Sequence, residues 1–215
     1  MCCEEGRVVS CGWKKGPKLR IRGSVILFIP PPPPPPLSSR SSIGIGDGLA
    51  CACVPYTMLV PPPNYGMVEE NFYRSGQPDQ LNFPFLEKLG LKSVIWLAPE
   101  EPEAGFLDFC VDQNIELHHL GVLYSTNAWD PITEEVVLQA LHLLVQPATY
   151  PVLVMCNLGR HRTGTVVGCF RKLQRWNLSA ILEEYRRFVG GQKYRILNEQ
   201  FIELFDEELV FGASY

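Results

Sequence analysis

A chain of 215 residues with a formal net charge of −4 is long enough for one domain with a sizeable core and too short for two comfortable ones. The acidic balance argues against a general nucleic-acid surface, and no apolar run reaches the ~18 residues of a membrane span. Eight cysteines, irregularly spaced and four of them before residue 52, form no recognisable disulfide framework.

Residues 1–55 differ in character from the rest. Pro30 to Pro36 is an unbroken proline run, followed by Leu37-Ser-Ser-Arg-Ser-Ser42 and Ile43-Gly-Ile-Gly-Asp-Gly48. The prolines are expected as polyproline II, and the serine and glycine stretch as flexible linker. The segment is therefore expected to be a disordered extension, with Pro30–Pro36 offering a weak docking sequence for an SH3-like or profilin-like partner. Met1-Cys2-Cys3 lacks the second signal of a stable lipid anchor, and Cys51-Ala-Cys53 lacks the further ligands of a metal site. Ser24 to Ile29 is too short and too late for a secretory signal, so a cytoplasmic setting is expected.

One α/β domain is expected over 56–211. Met67–Glu69 and Asn71–Arg74 read as short extended pieces about a turn, and Ser75-Gly-Gln-Pro78 breaks the chain. Leu81, Phe85 and Leu89 predict a helix ending at Gly90. Leu91–Leu97 is a buried strand. Ala104–Gln113 is a helix with Phe106, Leu107, Cys110 and Val111 on one face. Ile115–Leu120 is a strand on which His118 and His119 point to opposite faces and cannot share a metal. Asp130 is the only acid in the loop from Gly121 to Ile132. It suits the N-cap of the next helix, with Pro131 in the first turn. That helix, Thr133–Val145, turns Val137, Leu141, Leu144 and Val145 inward.

Pro151-Val-Leu-Val-Met155 reads as a buried strand, Cys156-Asn-Leu-Gly-Arg-His-Arg162 as a loop, and Thr163–Trp176 as a helix with Val166, Val167, Phe170 and Leu173 on its apolar face. Leu178, Ile181, Leu182 and Tyr185 form the stripe of the next helix, with Arg186 and Arg187 on a solvated face. Gly190–Arg195 is a connector carrying Lys193 and Arg195, charges suited to extra phosphates if it folds over the pocket. Asn198–Leu209 is a last helix with Phe201, Ile202 and Phe205 inward.

The strand–loop–helix unit is where the chemistry lies. A loop running from a strand end into a helix N-terminus collects backbone N–H groups into an anion-binding nest. Cys156 opens this loop, and its thiolate would be a nucleophile. Arg162 closes it with a guanidinium that can fork onto two phosphoryl oxygens. Gly159 supplies a positive φ where the chain curls, and Thr163 offers a hydroxyl to the thiolate. Asn157, Leu158, Gly159, Arg160 and His161 are the substrate-binding residues of the loop. Arg160 and His161 are expected to ring the mouth and favour multiply charged substrates.

Cys156-Asn-Leu-Gly-Arg-His-Arg-Thr-Gly164 resembles the signature loop of the protein tyrosine phosphatase superfamily. Phe72-Tyr-Arg-Ser-Gly-Gln-Pro78, Cys169–Leu178 and Glu184-Tyr-Arg-Arg-Phe188 are similar to the plant and fungal atypical dual-specificity phosphatases. Within that group the likeness is greatest to the fungal tyrosine-phosphatase-like proteins linked to oxidant-induced arrest. The resemblance covers roughly 60–209. It implies a largely parallel central sheet with helices on both faces, metal-free and cofactor-free chemistry, and cleavage of phosphate esters or anhydrides through a phosphocysteine. The implied substrates are phosphotyrosine proteins, inositol pyrophosphates or both. It also offers Asp130 a second role, as the general acid that protonates the leaving oxygen. The family commonly has histidine where this chain has Met155, and Gly-Lys-His-Arg where it has Gly159–Arg162. The second change keeps the charge. The first removes a group that helps hold the thiolate, and favours the alternative of a catalytically weak protein that binds phosphorylated partners.

Overall fold

The computed structural model describes residues 58–121, 132–191 and 195–212. The expectations for Pro30–Pro36, Cys51 and Cys53, Asp130 and Lys193 lie outside the described residues.

Among the described residues five strands form one sheet in the order β1-β2-β5-β3-β4. β1 (Gly66–Glu69) pairs antiparallel with β2 (Phe72–Ser75). β2, β5 (Val152–Met155), β3 (Ser93–Trp96) and β4 (Glu116–His119) run parallel. β5 is central and buried at all four positions, which suits its unbroken apolar composition. Ser75 and Trp96 both stand opposite Met155, and His119 stands opposite Trp96. The four parallel strands therefore finish level, and the loops leaving their carboxyl ends converge on one edge, where such sheets bind ligands.

Six α-helices accompany this sheet among the described residues, with α3, α5 and α6 packed against α4: α1 (Phe83–Leu89), α2 (Ala104–Asp112), α3 (Glu134–Leu144), α4 (His161–Leu173), α5 (Leu178–Val189) and α6 (Ile196–Leu204). None is long and apolar enough to cross a membrane. α1 ends at Gly90 in the left-handed conformation, as the glycine predicts. Its buried residue is Leu86, because the helix begins at Phe83 and leaves Leu81 exposed in the preceding turn. α2 buries Phe106, Phe109 and Cys110 and exposes Val111. The ring of Phe109 stacks on Phe83 at 4.6 Å, and the larger aromatic takes the inward position.

α3 buries Val136, Val137, Ala140, Leu141 and Leu144, while Val145, its C-cap, lies partly exposed. The residue at its N-cap position is Thr133, whose side chain makes no capping hydrogen bond. The last predicted helix is two pieces. α6 ends at Phe205, which is extended at ψ 128°, and Glu207–Phe211 forms a 3-10 turn. Asp206 caps that turn by accepting from the Glu208 N–H at 2.9 Å, a local bond that competes with a continued helix. α4 starts two residues earlier than its apolar stripe suggested, so its first turn belongs to the signature loop.

Candidate active site

β5 delivers Cys156 to the carboxyl edge of the sheet, where the residue is mostly buried. The chain then turns sharply: the Gly159 N–H donates to the Cys156 carbonyl at 3.2 Å, and Gly159 sits at φ +63°. A β-carbon there would collide with the main chain of Ser75 and Gly76, so the turn requires glycine for its φ and for its fit against β2.

The outer side of the loop is fastened by its carbonyls. The Asn157 oxygen accepts from the Gln77 N–H at 3.1 Å. The Gly159 oxygen accepts from Asn64 Nδ2 at 2.8 Å and Arg74 Nη2 at 3.1 Å. In a trans peptide the N–H lies opposite the C=O, so holding these carbonyls outward turns the N–H groups of Leu158 and Arg160 toward the hollow. α4 follows without a side-chain N-cap, which leaves its first N–H groups open to an anion.

The side chains complete the arrangement. The buried Thr163 hydroxyl donates to Cys156 Sγ at 3.2 Å. Arg162 is buried and its Nη1 donates to the Leu97 carbonyl, just past β3, at 3.2 Å. A cavity of about 560 Å³ is lined by Cys156, Asn157, Leu158, Arg160, His161, Arg162 and Arg195, with Ala98, Pro99 and Glu100 also on its wall. The structure thus brings Cys156 and Arg162 to one hollow and adds Arg195 from the start of α6. Gly159 and Thr163 support the loop and do not line the cavity. Asp130 and Lys193 lie outside the described residues.

His161 lines the cavity together with Arg160 and Arg195. Burial, then the guanidinium groups of Arg195 and Arg160, push its imidazole down to about 4. It rings the mouth as a neutral group at pH 7, because a further cation beside two arginines is disfavoured.

Several residues around the site were not found by sequence reasoning. Arg74 is 1 % exposed, with its guanidinium 3.8 Å from the centre of the Phe188 ring. Burial lowers it to about 10, with Glu184 and then Cys156 acting in the opposite direction, so it is charged at neutral pH. Its position two residues after Phe72 places it on the inward face of a strand, and that alternation was the available signal. The Glu100 carboxylate accepts from Asn157 Nδ2 at 3.2 Å; nothing local distinguishes it from Glu101. Met155, where the family commonly has histidine, is wholly buried. Burial pushes the Cys110 thiol up to about 11 and the Cys169 thiol further up, which makes both inert core groups.

A cysteine sulfur, a hydroxyl donor to it, an uncapped helix start and a buried guanidinium together suit binding of a phosphoryl group. Comparison with known proteins agrees. The tyrosine phosphatase family model matches residues 59–214. OCA1 of Mycosarcoma maydis, whose name places it among tyrosine-protein phosphatases, is 99 % identical over 158 residues, 74 % of this chain and 100 % of that protein. DG1060 of Dictyostelium discoideum, a probable tyrosine-protein phosphatase, is 62 % identical over 151 residues, covering 70 % of this chain and 90 % of that one. Among solved structures, the core catalytic domain of the PP-IP phosphatase Siw14 from S. cerevisiae, in complex with citrate, superposes with a TM-score of 0.65 at 41 % identity. The match covers 72 % of this chain and 92 % of that chain.

Proposed function

The chain belongs to the tyrosine phosphatase family, and from that premise we propose that it hydrolyses phosphate esters or anhydrides through a phosphocysteine, without a metal. The observation that carries this reading is the meeting of Cys156, its Thr163 hydroxyl donor at 3.2 Å and Arg162 at one cavity. Cys156 Sγ attacks phosphorus; the S–P bond forms as the bond to the leaving oxygen breaks. The loop N–H groups and the Arg162 guanidinium take the equatorial oxygens, where charge builds up. They supply the positive charge that a metal gives other phosphatases. Asp130, the only acid of its loop, protonates the leaving oxygen in this reading. Water then attacks phosphorus, the S–P bond breaks, and the Thr163 hydroxyl stabilises the departing thiolate.

The substrates proposed are phosphotyrosine proteins, inositol pyrophosphates or both. Three arginines, Arg160, Arg162 and Arg195, on a cavity of about 560 Å³ favour a ligand with several phosphates. The similarity to a PP-IP phosphatase points the same way. Buried Met155 favours a second reading, a catalytically weak protein that binds phosphorylated partners, since a thioether offers the thiolate no strong hydrogen bond.

Assay of p-nitrophenyl phosphate separates the two. Turnover by the wild type and none by Cys156→Ser is the expected result. A well-folded but inactive wild type supports the binder, and turnover surviving in Cys156→Ser overturns the nucleophile. Comparing a phosphotyrosyl peptide with a diphosphoinositol phosphate then assigns the substrate.

A further inference from the structure

The Tyr185 hydroxyl is a buried junction between α5, α6 and the signature loop. Tyr185 is 1 % exposed, and its oxygen lies 3.1 Å from Asn198 Nδ2 and 3.3 Å from His161 Nδ1. The main-chain N–H of Arg195, the N-cap of α6, also donates to it. An amide NH₂ and a main-chain N–H only donate, so both lone pairs of the oxygen are taken. The hydroxyl proton is left for His161 Nδ1. A neutral imidazole that accepts at Nδ1 carries its proton on Nε2.

The surroundings hold this arrangement. A β-carbon on Gly164 would come within 2.8 Å of the Tyr185 ring, so the last glycine of the signature makes room for that ring against α4. Arg186 donates to both carboxylate oxygens of Glu199, at 2.7 and 2.8 Å, and keeps α5 fixed to α6 beside Asn198. His161, the first residue of α4, lines the cavity with Cys156 and Arg162. The groups facing its imidazole are Arg160, Arg195 and the Tyr185 hydroxyl.

We propose that Tyr185 is a positioning residue that fixes His161 in the Nε2–H form, making it a neutral hydrogen-bond donor to a phosphate oxygen held between Arg160, Arg162 and Arg195. The tautomer stands on hydrogen bonding alone; only the identity of the ligand rests on the phosphatase reading. A neutral donor adds a bond to a crowded oxyanion without adding repulsion among three guanidinium groups.

Long-range ¹H–¹⁵N spectra of the histidine rings of the full chain test this, with His161 assigned by its loss in His161→Gln. Expected are a protonated Nε2 and an unprotonated Nδ1, an Nε2 resonance that moves on titration with inorganic phosphate, and mixed tautomers in Tyr185→Phe. A protonated Nδ1 in the wild type overturns the proposal, since it means that Asn198 is turned round and takes the Tyr185 proton itself. An Nε2 that phosphate leaves unmoved while the Arg162 side-chain resonance shifts overturns the donor role and leaves the phosphatase reading intact. If neither resonance moves, both the donor role and the phosphate site fail. Kinetics give a second measure that does not need Tyr185→Phe to fold. Gln places an amide N–H near Nε2 and Asn places one near Nδ1, so KM should rise about tenfold less in His161→Gln than in His161→Asn. Equal losses in the two overturn the assignment.

Discussion

Arg74 reaches across 85 positions of sequence to donate from Nη2 to the Gly159 carbonyl at 3.1 Å, in the loop that carries Cys156. Its Nε and Nη1 have no hydrogen-bond partner among the described residues, and it is stacked on Phe188. A buried guanidinium held so sparingly costs stability; its use is to keep the loop carbonyl turned outward. Arg74→Met, which fills similar space, should change stability by no more than about 1–2 kcal/mol. It should lower kcat/KM by roughly 10²-fold through misplacement of the loop amides. Thermal melting with p-nitrophenyl phosphate kinetics checks both; unchanged kcat/KM would remove Arg74 from the site.

Gly159→Ala tests the turn from the other side. At φ +63°, with its added β-carbon driven into the Ser75–Gly76 main chain, alanine must displace the loop. Stability should fall by about 1–3 kcal/mol, and activity should be nearly abolished. A variant that melts and turns over like the wild type would mean that the loop yields without cost.

Thr163→Val keeps shape and removes the hydroxyl that donates to Cys156 Sγ at 3.2 Å. A hydrogen bond to an ionised group contributes about 1.5–3 kcal/mol, so kcat should fall roughly 10- to 100-fold. Loss of the donor should weigh on release of the thiolate. A pre-steady-state burst of p-nitrophenol, followed by slow turnover, is the expected trace. A uniform slowdown without a burst assigns the hydroxyl to the first step instead.

α3 begins at Glu134, so Asp130→Asn should leave the melting temperature within a degree or two of the wild type. A phenolate of ordinary basicity needs its proton in the transition state, whereas p-nitrophenolate leaves readily. The substitution should therefore cost about 10²–10⁴-fold on a phosphotyrosyl peptide and far less on p-nitrophenyl phosphate. Equal effects on the two substrates would exclude the acid role.

His161 gives a signed pH dependence of stability. Its folded value is pushed down to about 4 by burial and by Arg195 and Arg160, against about 6.5 in the unfolded chain. Between those values the unfolded chain binds the extra proton. The contribution is full above pH 6.5 and is lost as pH falls through that window toward 4. Carboxylates titrate there too, so the readout is a comparison: from pH 7 to pH 4.5 the melting temperature of the wild type should drop further than that of His161→Gln. Parallel curves would show that the imidazole titrates normally in the fold.

The contrast among helices shows how far local pattern reaches. Apolar spacing located α1, α2 and α3, yet Leu81, Val111 and Val145 lie at the surface, and Leu86 and Phe109 lie inside. Periodicity defines a stripe. Where the helix starts, and which neighbour offers the larger partner, decides which edge of that stripe is covered. The break before Glu207 likewise follows from Asp206 capping its own backbone, a choice between two local bonds that hydrophobic spacing does not register.

Read alone, the sequence determined the strand–loop–helix unit on which the proposed chemistry rests. An apolar strand, Cys156, Gly159, Arg162, Thr163 and a helix are contiguous, and over so short a span chain connectivity and backbone sterics leave few arrangements open. Only the tertiary structure decided what surrounds that unit: Arg74 beneath the loop, Glu100 on the wall, Arg195 at the mouth and Tyr185 behind His161. Those residues come from strands and helices whose nearness depends on sheet order and register. Nothing in the local chemistry of an arginine or a tyrosine specifies which distant carbonyl or imidazole it will meet.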